Sequence, residues 1–206
     1  MNEQRAFTLL KKYHTPVHVR EHSFLVAMVA RFLALKLKKK GVKVLPNFVW
    51  IAGLIHDVVR VVDFKEIPEN LGTTEDYLIW KELRLKYGGR HHADVAAEIL
   101  RKLKEPVLAG IVQKHQYLAI KRGVKNWSWE EKLLYYADKR VAHSQIVSLY
   151  NRLVEGRKRH LPNQDFTDED RRLHVKIFNL EKEIFKFLDF EPEQLKGKIV
   201  FKSGDN

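Results

Sequence analysis

Residues 48–62 constrain this chain more than any other stretch. They are apolar on nearly every side, so a helix built from them has no face to give to water and must lie inside a core. The other elements have to be arranged round it. Within this stretch, in AGLIHDVV, His56 and Asp57 stand side by side. A carboxylate buried there without a partner costs roughly several kcal/mol, so the fold has to bring positive charge to it.

The remaining periodicity is helical and amphipathic. Thr15 and Pro16 read as an N-cap and first-turn proline for a helix whose stripe Leu25, Val29, Phe32, Leu33 and Leu37 ends at Gly41. Thr73 and Thr74 with Asp76 open a further helix, which Gly88 and Gly89 close. The stripe His92, Val95, Ala96, Ile99 and Leu103 runs up to Pro106, and Leu108, Ile111, Val112 and His115 follow it. Ser128 and Glu131 form a capping-box pattern for a helix expected to reach about Arg152. Residues 156–166 read as a loop, 167–188 as a last helix and 198–202 as a short strand. The expected fold is all-α, a single globular helical bundle with a C-terminal helical extension. Residues 1–155 carry the site, and 156–206 are a loop, helix and tail packed on the same domain.

Several polar residues fall on the apolar stripes. His22 precedes Leu25, Val26, Val29 and Leu33 on one helix face; His92 heads its stripe, His115 ends another, and Asp138 lies in line with Leu134, Val141 and Ala142. Any one of these is an ordinary hydrogen-bonded core residue. Together with His56 and Asp57 they amount to four histidines and two carboxylates directed inward. The chain has no cysteine, which excludes thiolate zinc, iron–sulfur and disulfide chemistry. One or two divalent ions at the bundle centre satisfy this set most economically, and imidazole with carboxylate suits Mn, Fe, Co, Ni or Zn.

The order His22, His56-Asp57, Asp138, set in VREHSFLVAMVARFLA, AGLIHDVVR and LLYYADKRV, resembles the HD superfamily of metal-dependent phosphohydrolases over about residues 15–150. His92 in HHADVAAEIL and His115 in IVQKHQ stand where the dinuclear branch has its extra ligands, an arrangement similar to the HD-type dinucleoside-tetraphosphate hydrolases. His91 competes with His92 for that role. His92 is favoured because its i+3, i+4 and i+7 neighbours are Val95, Ala96 and Ile99. Where many relatives have Lys three residues after the Asp, this chain has Arg60. The resemblance implies that Asp57 bridges two ions, with His22, His56 and Asp138 completing one site and His92 and His115 the other. A metal-activated water would then attack a phosphoester or phosphoanhydride of a small phosphorylated substrate, a nucleotide by preference. Asp57, His56 and Arg60 are the expected catalytic residues, and Arg60, Lys114, Lys139, Arg140 and Arg20 the candidates for binding phosphate. His14, His18, His143, His160 and His174 are expected to be structural or exposed.

Two other functions fit the same features. Relatives with the same six ligands use a di-iron pair for oxygenation. A non-enzymatic protein that binds nucleic acid or a partner, with metal as a structural staple, would use the net charge of +12 and the run Lys36, Lys38, Lys39, Lys40, Lys43. Nucleic acid is not favoured, because there is no helix-turn-helix pattern and no aromatic platform within the basic run. The longest uncharged run, residues 44–55, is far short of a membrane span, so a cytoplasmic protein without membrane attachment is expected. A homodimer is compatible with the sequence.

Overall fold

The computed structural model describes residues 1–199. It is a helical bundle built around a buried α3 (Pro46–Ile55), on which α2 (Val17–Lys39) packs along much of its length. Before α2 comes α1 (Glu3–Lys12), a helix absent from the sequence reading; Asn2 caps it by accepting from Arg5 N–H at 2.9 Å. Thr15 does not cap α2. Its hydroxyl is buried and donates to the Val58 carbonyl at 2.7 Å, tying the start of α2 to the end of the central helix. Gly41 follows α2 in the left-handed region at φ 83°, and Lys36, Lys38 and Lys39 lie in the last turn, where the helix dipole favours cations.

The central helix is shorter than its apolar run. It stops at Ile55, His56 is its C-cap, and the chain turns through Asp57–Val59 into a 3-10 turn at Arg60–Asp63. After it come α4 (Thr74–Tyr87), with a Thr73/Asp76 capping box and packed on that turn, and then α5 (His92–Lys102) and α6 (Pro106–Gln113), which pack on one another, α6 also meeting α3. A 3-10 turn at Tyr117–Arg122 leads to α7 (Trp129–Asp138), started by the Ser128/Glu131 capping box.

The helix expected to run to Arg152 ends instead at Asp138. Its continuation is a two-stranded hairpin, β1 (Val141–Ala142) against β2 (Gln145–Ile146), which turns at His143 with φ 54°. The apolar spacing that looked helical is here Val141 paired across the hairpin with Ile146, both facing the core. Arg140 anchors the break. Its buried guanidinium donates to the Val147 carbonyl at 2.7 Å and pairs with Glu181 at 3.0 Å. Next, α8 (Leu149–His160) occupies part of the stretch expected to be loop, and α9 (Asp168–Phe185) packs on α7 through ion pairs such as Lys132–Glu183 at 2.7 Å. The segment expected as a strand begins inside the short α10 (Leu195–Lys198), and its residues from 200 onward lie outside the described ones. The all-α class holds, the hairpin being the one small sheet among the described residues. None of their helices is long and apolar enough to cross a membrane.

Helices α2 and α3 cross in close backbone contact. A Cβ on Gly53 would lie 2.5 Å from the Cα of Ala27, a backbone atom that cannot turn aside. Gly53→Ala is therefore expected to cost about 1–3 kcal/mol by overpacking. Gly110→Ala is the control, since it meets nothing nearer than Glu131 Oε1 at 4.0 Å and should be neutral or slightly stabilising. Thermal unfolding of the two variants checks the contrast.

Candidate metal centre

Three helix C-termini converge on one point. His56 caps the end of α3 and Asp57 follows it, His115 follows the end of α6, and Asp138 is the last residue of α7. Helix C-termini carry partial negative charge, so their meeting already favours a cation. His22 comes in from the second turn of α2 and His92 from the first residue of α5.

Each of the four imidazoles has its Nδ1 committed to an acceptor. His56 Nδ1 donates to the Gly53 carbonyl at 2.8 Å and His115 Nδ1 to the Val112 carbonyl at 2.6 Å, each closing the last turn of its own helix. His22 Nδ1 lies 3.2 Å from the His143 carbonyl, which the positive-φ hairpin turn supplies. His92 Nδ1 lies 2.6 Å from Asp63 Oδ2, and the same carboxylate oxygen accepts the His92 backbone N–H at 3.0 Å. Arg60 Nη1 is 2.8 Å from that Nδ1 as well. Because the carboxylate of Asp63 is ionised and can only accept, both nitrogens are donors directed at it. With every Nδ1 holding a proton, the neutral rings turn four bare Nε2 lone pairs inward.

These lone pairs face carboxylates and one another. His22 Nε2 is 3.1 Å and His56 Nε2 3.7 Å from Asp138 Oδ1; His92 Nε2 and His115 Nε2 are 3.0 Å apart and stand 2.9 and 3.4 Å from Asp57 Oδ1. Asp57 Oδ2 faces the other way, 3.6 Å from His56 Nε2. His56 Nε2 and Asp57 Oδ1 are buried and make no aligned hydrogen bond. Acceptors packed this closely repel unless positive charge lies among them. In the bare chain protons can supply part of it. Burial pushes the pKa of His56 and His92 down, but the facing carboxylates outweigh it and the net shift is upward. At His115 burial, reinforced by the neighbouring His56 and His92, outweighs the pull of Asp57, so its pKa falls to about 4 and it stays neutral, the form that can ligate. An all-nitrogen-and-oxygen donor set with orphaned buried atoms fits one or two divalent ions of the Mn-to-Zn group.

The chain matches the HD domain family over residues 19–154. It belongs to that family. The family consists mainly of metal-dependent hydrolases of the phosphohydrolase type, and the His–Asp cluster lies within the matched stretch. No curated protein and no solved structure matches the chain.

Around the HD cluster opens a cavity of about 670 Å³, large enough for a nucleotide-sized ligand. Of the residues singled out as phosphate binders, Arg60 and Lys139 line it. Arg60 is ion-paired with Asp63, and its Nε lies 3.9 Å from Asp57 Oδ2. Lys139 holds Asp138 Oδ2 at 2.5 Å and the His115 carbonyl at 2.9 Å. The others are turned elsewhere. Arg140 is spent on α9, Lys114 pairs with Glu131 at 2.7 Å, and Arg20 is exposed outside the cavity. The two neighbouring histidines are placed differently, although both stand with Asp63 in a group of possible ligand atoms. His92 is in the cluster, whereas His91 sits at the rim as the N-cap of α5, its Nδ1 accepting from Ala93 N–H at 3.1 Å.

Asp63 has no place in the sequence analysis, and His18, His143 and His174, expected to be structural or exposed, all line the cavity. His18 had a readable signal, standing one helical turn before His22. For Asp63 there was none, since its value lies in reaching His92 across 29 residues of sequence. Burial tends to raise the Asp63 pKa, but hydrogen bonds and charge from His92, with Arg60 beside them, bring it down to about 2. It therefore remains an acceptor throughout the range in which histidine titrates. Asp63→Ala frees the His92 ring to rotate and change tautomer, and should weaken metal affinity about 10- to 100-fold, measured by competition with a chelator.

Proposed function

We propose that this HD-family chain is a dinuclear phosphohydrolase that cleaves a phosphoester or phosphoanhydride of a nucleotide-like substrate. His22, His56, Asp57, His92, His115 and Asp138 would hold the two ions. The observation that carries the reading is the disposition of Asp57: one oxygen faces His56 and the other faces His92 and His115. A single carboxylate thus lies between two groups of nitrogens, as a bridging ligand must. The oxygenase and structural-metal readings have no observation of their own to favour them.

When bound, the ions supply Lewis-acid activation of water and neutralise charge on the attacked phosphoryl group. The protein supplies the rest. The carbonyls of Gly53, Val112 and His143 and the carboxylate of Asp63 keep the four rings in one tautomer, so ligation needs no reorganisation. Lys139 pins Asp138 by its outer oxygen, leaving Oδ1 for the cluster. Arg60, wedged between Asp57 and Asp63, is the guanidinium placed to take a phosphate oxygen at the cavity floor. His91, which burial lowers to about 4, is uncharged near neutrality and offers a hydrogen bond to substrate without adding charge.

Elemental analysis of the purified protein should find two ions per chain, and a nucleotide and dinucleotide panel with Mn or Co should release phosphate or a phosphorylated product. Asp57→Ala should lose both the ions and turnover. Full activity in that variant would falsify the site, one ion per chain would point to a mononuclear nucleotidase, and iron-dependent oxygen uptake without phosphate release would transfer the chain to the oxygenase reading.

A further inference from the structure

One wall of the cavity is built largely by residues beyond the family-matched stretch. The second half of α8, the return through residues 161–166 and the first turns of α9 all contribute to it. Arg157 fastens this wall. It pairs with Asp170 at 2.9 Å, donates to the Gln164 carbonyl at 3.2 Å and also bonds the Asp165 carbonyl. Its charge and donors are consumed in holding the return against α8.

Two neighbouring arginines are not consumed in this way. Arg152 and Arg159 both line the cavity and share one carboxylate, Glu155, at 2.8 and 3.0 Å. Arg152 also donates through Nε to the Val141 carbonyl at 2.8 Å, which fixes its direction. The side chain of Arg159 remains 45% exposed, and among the described residues Glu155 is its one ion-pair partner. Burial first, and then the nearby cations Arg152 and Arg60, hold the Arg159 guanidinium below its usual pKa, against the opposing pull of Glu155 and Asp138. Two guanidinium forks with a single shared carboxylate leave a surplus of positive charge and of N–H donors facing the cavity. A cavity of about 670 Å³ is also far larger than one phosphoryl group needs.

We infer that Arg152 and Arg159 form a second anion subsite in this cavity, which binds a phosphate of the substrate other than the one attacked at the His–Asp cluster. The substrate class is then a compound with at least two phosphates, and the C-terminal extension serves as its selecting wall. The identity of the attacked group rests on the phosphohydrolase reading, whereas the anion subsite itself does not.

The test uses the full chain freed of metal, titrated calorimetrically with inorganic tripolyphosphate and with orthophosphate. Wild type should bind tripolyphosphate more tightly than orthophosphate and less tightly as salt rises. Arg159→Ala should weaken tripolyphosphate binding about 10-fold, the loss of one charge-assisted contact, and Arg159→Lys should recover part of it. Arg20→Ala removes an equal charge outside the cavity and should change binding little. In the metal-loaded protein, Arg159→Ala should raise the ratio of KM for tripolyphosphate to KM for p-nitrophenyl phosphate. No binding by wild type, or equal losses in Arg159→Ala and Arg20→Ala, would overturn the subsite. If the calorimetric results hold while the loaded protein hydrolyses nothing, the subsite stands and the phosphohydrolase reading falls.

Discussion

The close approach of α2 to α3 at Gly53 and Ala27 is the constraint on which the site depends. With no side chain at Gly53 the two helix backbones nearly touch, and this places His22 of α2 within 5.5 Å of His56 by ring centroid. The same contact lets the apolar sides of both helices bury, and Val26, Ala27, Val29 and Ala30 of α2 and Val49, Ala52 and Ile55 of α3 have no access to water. Core formation and ligand placement are here one packing event, because the ligands sit at the ends and on the faces of the helices that form the core.

The site follows from where those helices end. His56, His115 and Asp138 occupy helix C-termini, and two of them close their own last turn through Nδ1. That single bond satisfies a terminal carbonyl and fixes the tautomer that leaves Nε2 free. Local helix termination and metal-ligand chemistry thus use the same atoms. His92 starts its helix, and its Nδ1 partner comes from Asp63 in the turn that the central helix runs into. The cluster is therefore held by backbone at some points and by a buried carboxylate at another, and Arg60 connects that carboxylate to the cavity.

Positive charge on the cavity wall has two kinds of origin. Arg60 and Lys139 are next to or near the ligands in sequence and are tied to the ligand carboxylates. Arg152 and Arg159 come from α8, which exists as a separate helix only because the chain breaks at Arg140 and turns back through the hairpin. Had α7 continued, His143 could not have lent its carbonyl to His22, and the arginines of α8 would have pointed along another axis.

The helical periodicity, the capping boxes at Thr73 and Ser128 and the inward alignment of His22, His56, Asp57, His92, His115 and Asp138 were all legible in the residues, because each depends on spacing within one helix. The all-α class followed from the same local rule. The break after Asp138, the roles of Asp63 and His143 and the composition of the far wall were not legible. Each depends on a partner distant in the chain: Glu181 and Val147 for Arg140, His92 for Asp63, His22 for the His143 carbonyl. Spacing reports which face of a helix is apolar, whereas the meeting of two faces is decided by packing. Local chemistry thus specified which atoms could bind a cation, and the tertiary structure decided how they are oriented, what holds them and which charges share their cavity.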